Sequence, residues 1–152
     1  MSVLILAPQP DQSTQIKNST MASTLVTAVI GTVPYTVTLT DGAHKWLGDA
    51  TAEHGGAYAG PTPHSILLSA LGTCTAVTLT MYAGRKTWGL EGVEVILGFS
   101  NEAPGTTTIS REIKVKGNLD AEQKERLLQI ANACPIHKIL TGEIKVESTL
   151  AA

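Results

Sequence analysis

The chain has 152 residues, of which 43% are hydrophobic and 16% are charged. This length suits one domain that buries a core without disulfides or metal ions. Eleven Lys and Arg against thirteen Asp and Glu give a formal net charge of −2. That balance disfavours a nucleic-acid-binding surface and a basic membrane anchor, so we expect no nucleic-acid and no membrane partner.

The cysteine count and the N-terminal sequence bear on the compartment. Two cysteines are too few for a disulfide scaffold or an all-cysteine zinc site. The apolar run Val3–Ala7 is short and follows no basic residue, whereas a secretion signal has a basic start and an apolar stretch of roughly 7–15 residues. We therefore expect a cytoplasmic protein, in which a cysteine pair is reactive or simply packed.

The first part of the chain is predicted to be a flexible arm. Residues 8–20 are polar, include two prolines and show no periodicity, as is typical of a loose terminus. We predict an arm over residues 1–23 and a single domain over residues 24–152.

The domain is predicted to begin with three strands. Val, Ile and Thr are dense from Thr24 to Thr40, and the end of this segment alternates polar and apolar residues. A glycine and a proline interrupt the run, which predicts a hairpin of two strands. After the turn signal Asp41-Gly42, residues 44–49 are expected to form a short third strand.

A long helix is predicted after the Gly/Pro-rich loop at residues 53–63. No charged residue occurs from Ser65 to Gly84, and apolar residues recur there at three- and four-residue steps. These are Ile66, Leu67, Ala70, Leu71, Cys74, Val77 and Met81. A helix without a charged face is normally buried on most sides, so we expect a central helix enclosed by a sheet or by a second subunit.

Two further strands are predicted at residues 93–97 and 106–116, joined by a turn at Ala103–Gly105. In the second strand the apolar positions are Ile109, Ile113 and Val115. Its basic residues are expected to face water or acidic partners; they are Arg111, Lys114 and Lys116.

The C-terminal part is predicted to hold a second helix and a closing strand. Asp120 with a glutamine three residues later resembles a capping box. The core-facing residues of this helix are then Leu127, Ala131 and Cys134. Pro135 is expected to begin a separate helical turn, and residues 143–147 alternate as a strand does. The order β-β-β-α-β-β-α-β indicates an α+β fold with mostly antiparallel pairing.

The two cysteines lie 60 residues apart, Cys74 within the uncharged helix and Cys134 near the end of the other. One interpretation is two buried, inert side chains, since free cysteine is among the most buried residue types. The other is a redox pair, in which one thiolate is oxidised to sulfenic acid and the other thiol condenses with it. The redox pair needs a nearby cation, because burial alone disfavours a thiolate. Arg85 is about 16 Å along the same helix from Cys74, too far to contact its sulfur. The candidates for the nearby cation are therefore Lys45 or a residue of a second chain.

A metal site was weighed from the spacing Cys134-Pro-Ile-His137. Together with Cys74 and His64 this would make a zinc site of two cysteines and two histidines. The spacing fits no standard zinc finger, and no metal is expected. Glycine-rich phosphate loops and the G-x-S-x-G serine motif are also absent from the sequence.

Two segments resemble the OsmC/Ohr family of thiol peroxidases. They are GGAYAGPTPHSILLSALGTCTAVTLTMYAGRKTWGLEGVEV, from Gly55 to Val95, and CPIHKIL, from Cys134 to Leu140. The order of the other elements agrees from about Thr24 onward, and the similarity is greatest to the OsmC-related branch of poorly defined function. The resemblance implies mainly antiparallel sheets that wrap two long central helices in an intertwined homodimer.

The resemblance also implies a chemistry. Cys74 would be the peroxidatic thiol and Cys134 the resolving thiol, with an organic hydroperoxide as substrate, a cellular dithiol as reductant and no cofactor. The alternative is a non-catalytic protein of the same fold that binds an apolar small molecule at the dimer interface.

The sequence departs from the family peroxidases at their charged residues. Those proteins carry a glutamate nine or ten residues before the first cysteine, where this chain has Ser65 and His64. They also carry an arginine in the N-terminal strands, whereas no arginine precedes Arg85 here. The candidates to replace this charge are Lys45, His64 and Arg85, and the missing pair favours the non-catalytic alternative.

Overall fold

Three short strands form the first sheet of the computed structural model, which describes residues 25–103 and 105–151. They are β1 (Thr27–Ile30), β2 (Val37–Thr40) and β3 (Lys45–Gly48), antiparallel and in the order β1-β2-β3. The predicted hairpin and third strand are confirmed. The arm predicted over residues 1–23 lies outside the described residues.

A long hairpin forms the second sheet. Strands β4 (Gly89–Ala103) and β5 (Thr106–Asn118) pair antiparallel from Gly89 opposite Asn118 to Ala103 opposite Thr106. Both strands extend beyond the predicted segments. The inner face of this hairpin packs on the helices.

Helix α1 (Pro63–Arg85) is the longest element of the described chain. Thr62 caps it by accepting a hydrogen bond from Ser65 N, and Pro63 occupies the first turn, where a missing N–H is tolerated. By length and composition α1 would also suit a membrane span, a test that core helices pass equally. Within the described chain it contacts β4, α2 (Ala121–Ala131) and α3 (Pro135–Leu140).

Among the residues that the structure describes, only one side of α1 is covered. The buried residues follow four-residue steps and are Leu71, Thr75, Leu79 and Ala83. Of the apolar residues in the predicted face, Leu67, Val77 and Met81 remain 42%, 51% and 54% exposed. Within the described residues, cover of α1 is confined to this buried stripe, and its enclosure by a second subunit stays a prediction.

The core lies where α1, α2 and the β4–β5 hairpin meet. Its buried apolar cluster is Leu79, Ala83, Leu119, Leu127 and Ala131. The predicted capping box of α2 is confirmed, with Asp120 Oδ1 accepting from Gln123 N and Gln123 Oε1 accepting from Asp120 N. The separate helical turn at Pro135 is confirmed as α3. The architecture is an α+β fold with antiparallel sheets, as predicted.

The strand predicted for residues 143–147 is not formed. Ile144 and Val146 are both exposed. An isolated strand leaves its backbone groups unpaired and is not stable without a neighbouring strand. In the described chain β1–β3 and β4–β5 form separate sheets, and neither pairs with this segment.

Candidate functional site

The start of α3 contacts both cysteines through neighbouring backbone amides. Ile136 N donates to Cys74 Sγ at 3.5 Å, and the next amide, His137 N, donates to Cys134 Sγ at 3.4 Å. First-turn amides of a helix have no partner within the helix, so they are free to bond to sulfur. Both cysteines are free thiols; Cys74 is partly buried and Cys134 is buried.

Local sequence explains this arrangement around Cys134. Pro135 occupies the first turn of α3, and Cys134 is the N-cap residue with an extended backbone at φ −64° and ψ 148°. An N-cap side chain normally accepts a hydrogen bond from an amide of the first turn through the oxygen of Ser, Thr, Asp or Asn. Here sulfur does so, although sulfur is a weak acceptor.

Thr75 connects the site to a cation. Its hydroxyl donates to Leu71 O at 2.8 Å and lies 3.8 Å from Cys134 Sγ. Arg111 Nη1 donates to the same hydroxyl oxygen at 3.0 Å. The chain of contacts therefore runs from Arg111 through Thr75 to the Cys134 sulfur.

Arg111 is the functional candidate that the sequence reasoning missed. It was expected to face water or acidic partners, but it is partly buried on the inner side of β5. It also donates to Ala131 O at 3.2 Å and to Asn132 Oδ1 at 2.7 Å. Strand alternation contained the signal, because side chains two residues apart share a face and the apolar positions 109, 113 and 115 have the same parity as position 111.

A cavity of about 330 Å³ opens beside Arg111. Its apolar walls come from four elements and are Leu71, Ile109, Leu128 and Leu140. Asn132, His137 and Thr141 add polar groups. Burial and then the Arg111 charge lower the pKa of His137 from 6.5, so its imidazole is neutral at pH 7.

The other cations proposed from sequence lie elsewhere in the structure. Lys45 is an exposed residue of β3, opposite Thr40. His64 Nε2 lies 3.1 Å from Glu102 Oε1, and its ring packs edge-on against Phe99. Arg85 is the last residue of α1. Within residues 25–103 and 105–151, no hydrogen bond joins any of these three to a cysteine.

The possible zinc set is not assembled in the described residues. His64 contacts Glu102 rather than the cysteines. Across these parts of the chain, no three His, Cys, Asp or Glu side chains are grouped closely enough to hold a metal ion.

Comparison with known proteins places the fold. No curated protein matches the chain. The OsmC-like protein of Mycoplasma pneumoniae is similar, with a TM-score of 0.65 and 22% identity over 77% of this chain and 86% of that one. The organic hydroperoxide resistance protein OsmC of Legionella pneumophila is similar with a TM-score of 0.58 and 19% identity, over 80% of this chain and 91% of that one. The organic hydroperoxide resistance protein OhrB of Bacillus subtilis has a TM-score of 0.54 and 22% identity, over 78% of this chain and 90% of that one.

The family model described as OsmC-like protein matches residues 54–149. This range is well over half of the chain and contains α1, both cysteines and the β4–β5 hairpin. The chain therefore belongs to the OsmC-like protein family.

Proposed function

We propose that the protein is a cysteine-based peroxide reductase, with Cys74 as the peroxidatic thiol and Cys134 as the resolving thiol. The observation that carries this proposal is the pair of neighbouring α3 amides, one bonded to each sulfur. Each sulfur lies within 3.5 Å of one of two consecutive backbone nitrogen atoms, which supports a pairing of the two thiols. Similarity to named organic hydroperoxide resistance proteins supports peroxide as the oxidant.

The reaction balances with an organic hydroperoxide and a dithiol. The Cys74 thiolate attacks the terminal peroxide oxygen; an S–O bond forms, the O–O bond breaks, and the alkoxide takes a proton and leaves as an alcohol. The Cys134 thiol then gives up its proton and its sulfur attacks the Cys74 sulfenic acid; the S–S bond forms, the S–O bond breaks, and the leaving hydroxide takes that proton and departs as water. A cellular dithiol reduces the disulfide by exchange and is itself oxidised.

Burial favours this assignment of roles. Cys74 is partly exposed and accessible to a substrate, whereas Cys134 is fully buried. A resolving thiol needs only to reach the first sulfur. The Arg111 guanidinium, linked through Thr75, lies on the Cys134 side of the site.

The proposal includes the assembly and the compartment. Two copies are expected to form an intertwined homodimer with their long α1 helices at its centre, because the exposed apolar side of α1 needs cover. The cytoplasm supplies the dithiol reductant and keeps the thiols reduced between turnovers.

Thiol counting tests the chemistry. Reduced wild-type protein treated with cumene hydroperoxide is expected to lose both thiols per chain and to gain one intramolecular disulfide by mass spectrometry. Cys74→Ser should keep its remaining thiol. Cys134→Ser should form a sulfenic acid at Cys74 that dimedone traps.

The matched pair of serine variants makes the outcome decisive. Equal thiol loss in both variants, or no loss of both thiols in the wild type, contradicts the proposal. Added dithiothreitol should restore both thiols in the wild type, which excludes irreversible oxidation to a sulfinic or sulfonic acid.

A second candidate function is the non-catalytic binding of an apolar small molecule. A cavity of about 390 Å³ between the first sheet and the start of α1 favours it. Its walls are mainly apolar and include Ile30, Tyr35, Val37, Leu39 and Ile66. Native mass spectrometry that finds a retained apolar ligand, with both thiols intact after peroxide, would select this function instead.

A further inference from the structure

We propose that the cavity beside Arg111 binds a small organic carboxylate, with the carboxylate on the guanidinium and the hydrocarbon part against the apolar walls. The site differs from the thiol site in chemistry, because no cysteine lines it. It also differs from the apolar cavity next to the first sheet. The inference does not depend on peroxide reduction.

The charge of Arg111 is the first argument. Its three protein acceptors are neutral: the Thr75 hydroxyl, the Ala131 carbonyl and the Asn132 side-chain amide. In the described part of the chain, no carboxylate lies within salt-bridge distance of Arg111. A partly buried charge without a counter-ion is costly, and an anionic ligand removes that cost.

Free hydrogen-bond donors are the second argument. A guanidinium has five N–H donors in a planar fork, and three of them are used by the neutral acceptors. The remaining two, on Nε and Nη2, have no partner within residues 25–103 and 105–151. Arginine recognises planar carboxylates through such paired donors.

The surroundings select an anion with a hydrocarbon part. The lining contains no Asp or Glu that would repel an anion, and its other titratable side chain, His137, is neutral at pH 7. Leu71, Ile109, Leu128 and Leu140 supply apolar contact from four directions. An inorganic anion would leave these walls in contact with water. The volume is at the lower end of the ~300–1,000 Å³ that small-molecule sites span.

Titration calorimetry with octanoate tests the site on the full chain. We expect saturable binding of one octanoate per chain. Arg111→Gln should weaken binding by about tenfold or more, the size expected for loss of a charge-assisted hydrogen bond. Arg126→Gln is the matched control, because Arg126 lies on α2 and donates to Tyr82 Oη and Gln129 Oε1 away from the cavity; it should bind as the wild type does.

A second variant separates ligand binding from stability, since Arg111 also bonds to Thr75 and to the end of α2. Leu128→Trp adds bulk at the cavity edge and keeps Arg111. It should abolish octanoate binding while the circular dichroism melt stays close to that of the wild type.

Two other probes identify which chemistry is recognised. Octanol and inorganic phosphate should each bind far more weakly than octanoate. The proposal is overturned if octanoate shows no saturable binding at millimolar concentration or if octanol binds equally well. The proposal is also overturned if inorganic phosphate binds as tightly as octanoate. The same holds if folded Arg111→Gln binds octanoate with the affinity of the wild type.

Discussion

Asp49 is a buried carboxylate that organises the loop before α1. It is 2% exposed, and its oxygens accept from the amides of Ala50, Ala57 and Ala59 at 2.8, 3.1 and 2.9 Å. The hydrogen bond from the Ala59 amide has the largest effect on the pKa of Asp49. Together with the other hydrogen bonds it outweighs the effect of burial, so this pKa lies below 3.8. Asp49 is therefore ionised at neutral pH and connects β3 to the segment that leads into the cysteine-bearing helix.

Replacing Asp49 by asparagine is expected to lower the melting temperature near neutral pH. Asparagine has one acceptor oxygen in place of two, so part of the amide bonding is lost. Because the folded pKa is lowered, the stabilisation is present above the unfolded pKa near 3.8 and is lost as pH falls through the folded value. The difference in melting temperature between wild type and Asp49→Asn should therefore shrink on acidification below about pH 4.

Glu53→Gln is the control for this prediction. Glu53 is an exposed carboxylate in the same loop, so its variant should melt close to the wild type at every pH. A difference for Asp49→Asn that stays constant from neutral to acid pH would show that charge at Asp49 is unimportant.

At the scale of secondary structure elements, the short helix α3 depends on Cys134 at its start. None of the six residues of α3 is fully buried, and three are half-buried, so packing against α1 is only part of what holds the helix. The sulfur of Cys134 supplies the N-cap by accepting from His137 N. The same residue is therefore both the proposed resolving thiol and a structural cap.

Two substitutions of Cys134 separate these roles. Cys134→Ser retains a side-chain oxygen for the cap, whereas Cys134→Ala removes it, and loss of an N-cap typically costs about 1 kcal/mol. We expect Cys134→Ser to be more stable than Cys134→Ala by roughly that amount in urea unfolding. Hydrogen exchange at the His137 amide should be faster in the alanine variant. Equal stability and equal exchange would mean that the cap contributes nothing.

Local signals explain which elements the sequence predicts. The capping box at Asp120, the proline at 135 and the polar–apolar alternation near β2 act within a few residues and therefore appear in the sequence. The segment at 143–147 also alternates, but a strand forms only when another strand pairs with it. That partner is a property of the assembled molecule and cannot be read from local pattern.

The groups of the candidate site also divide into those that sequence patterns show and those that they do not show. Cys74 and Cys134 are found through the motifs around them. The amides of Ile136 and His137 are backbone groups, so side-chain patterns do not show them. The inward position of Arg111 could be predicted from the alternation along β5, which places it on the same face as its apolar neighbours. It was missed because a charged residue in a strand is usually assigned to the solvent face.

At the scale of the whole molecule, residues 25–103 and 105–151 leave apolar side chains of α1 without cover. Leu67, Val77 and Met81 form the exposed side of α1, and the apolar residues of 143–147 are exposed as well. Exposed apolar side chains along one side of a helix are typical of an interface. A second copy, packed helix to helix, is the partner that the proposed homodimer supplies.

The dimer makes a prediction at Val77, which lies in the middle of this exposed side. Wild-type protein should sediment with twice the mass of one chain. Val77→Asp would bury an unpaired carboxylate in the interface, which is strongly unfavourable, so the dimer dissociation constant should rise by at least about tenfold. Sedimentation equilibrium over a range of protein concentrations measures that change.

Ile96→Asp is the matched control, because Ile96 is comparably exposed but lies in β4 with its side chain on the outer face beside Glu94. If Ile96→Asp dissociates the dimer and Val77→Asp does not, the interface lies on the hairpin and the exposed side of α1 has another role.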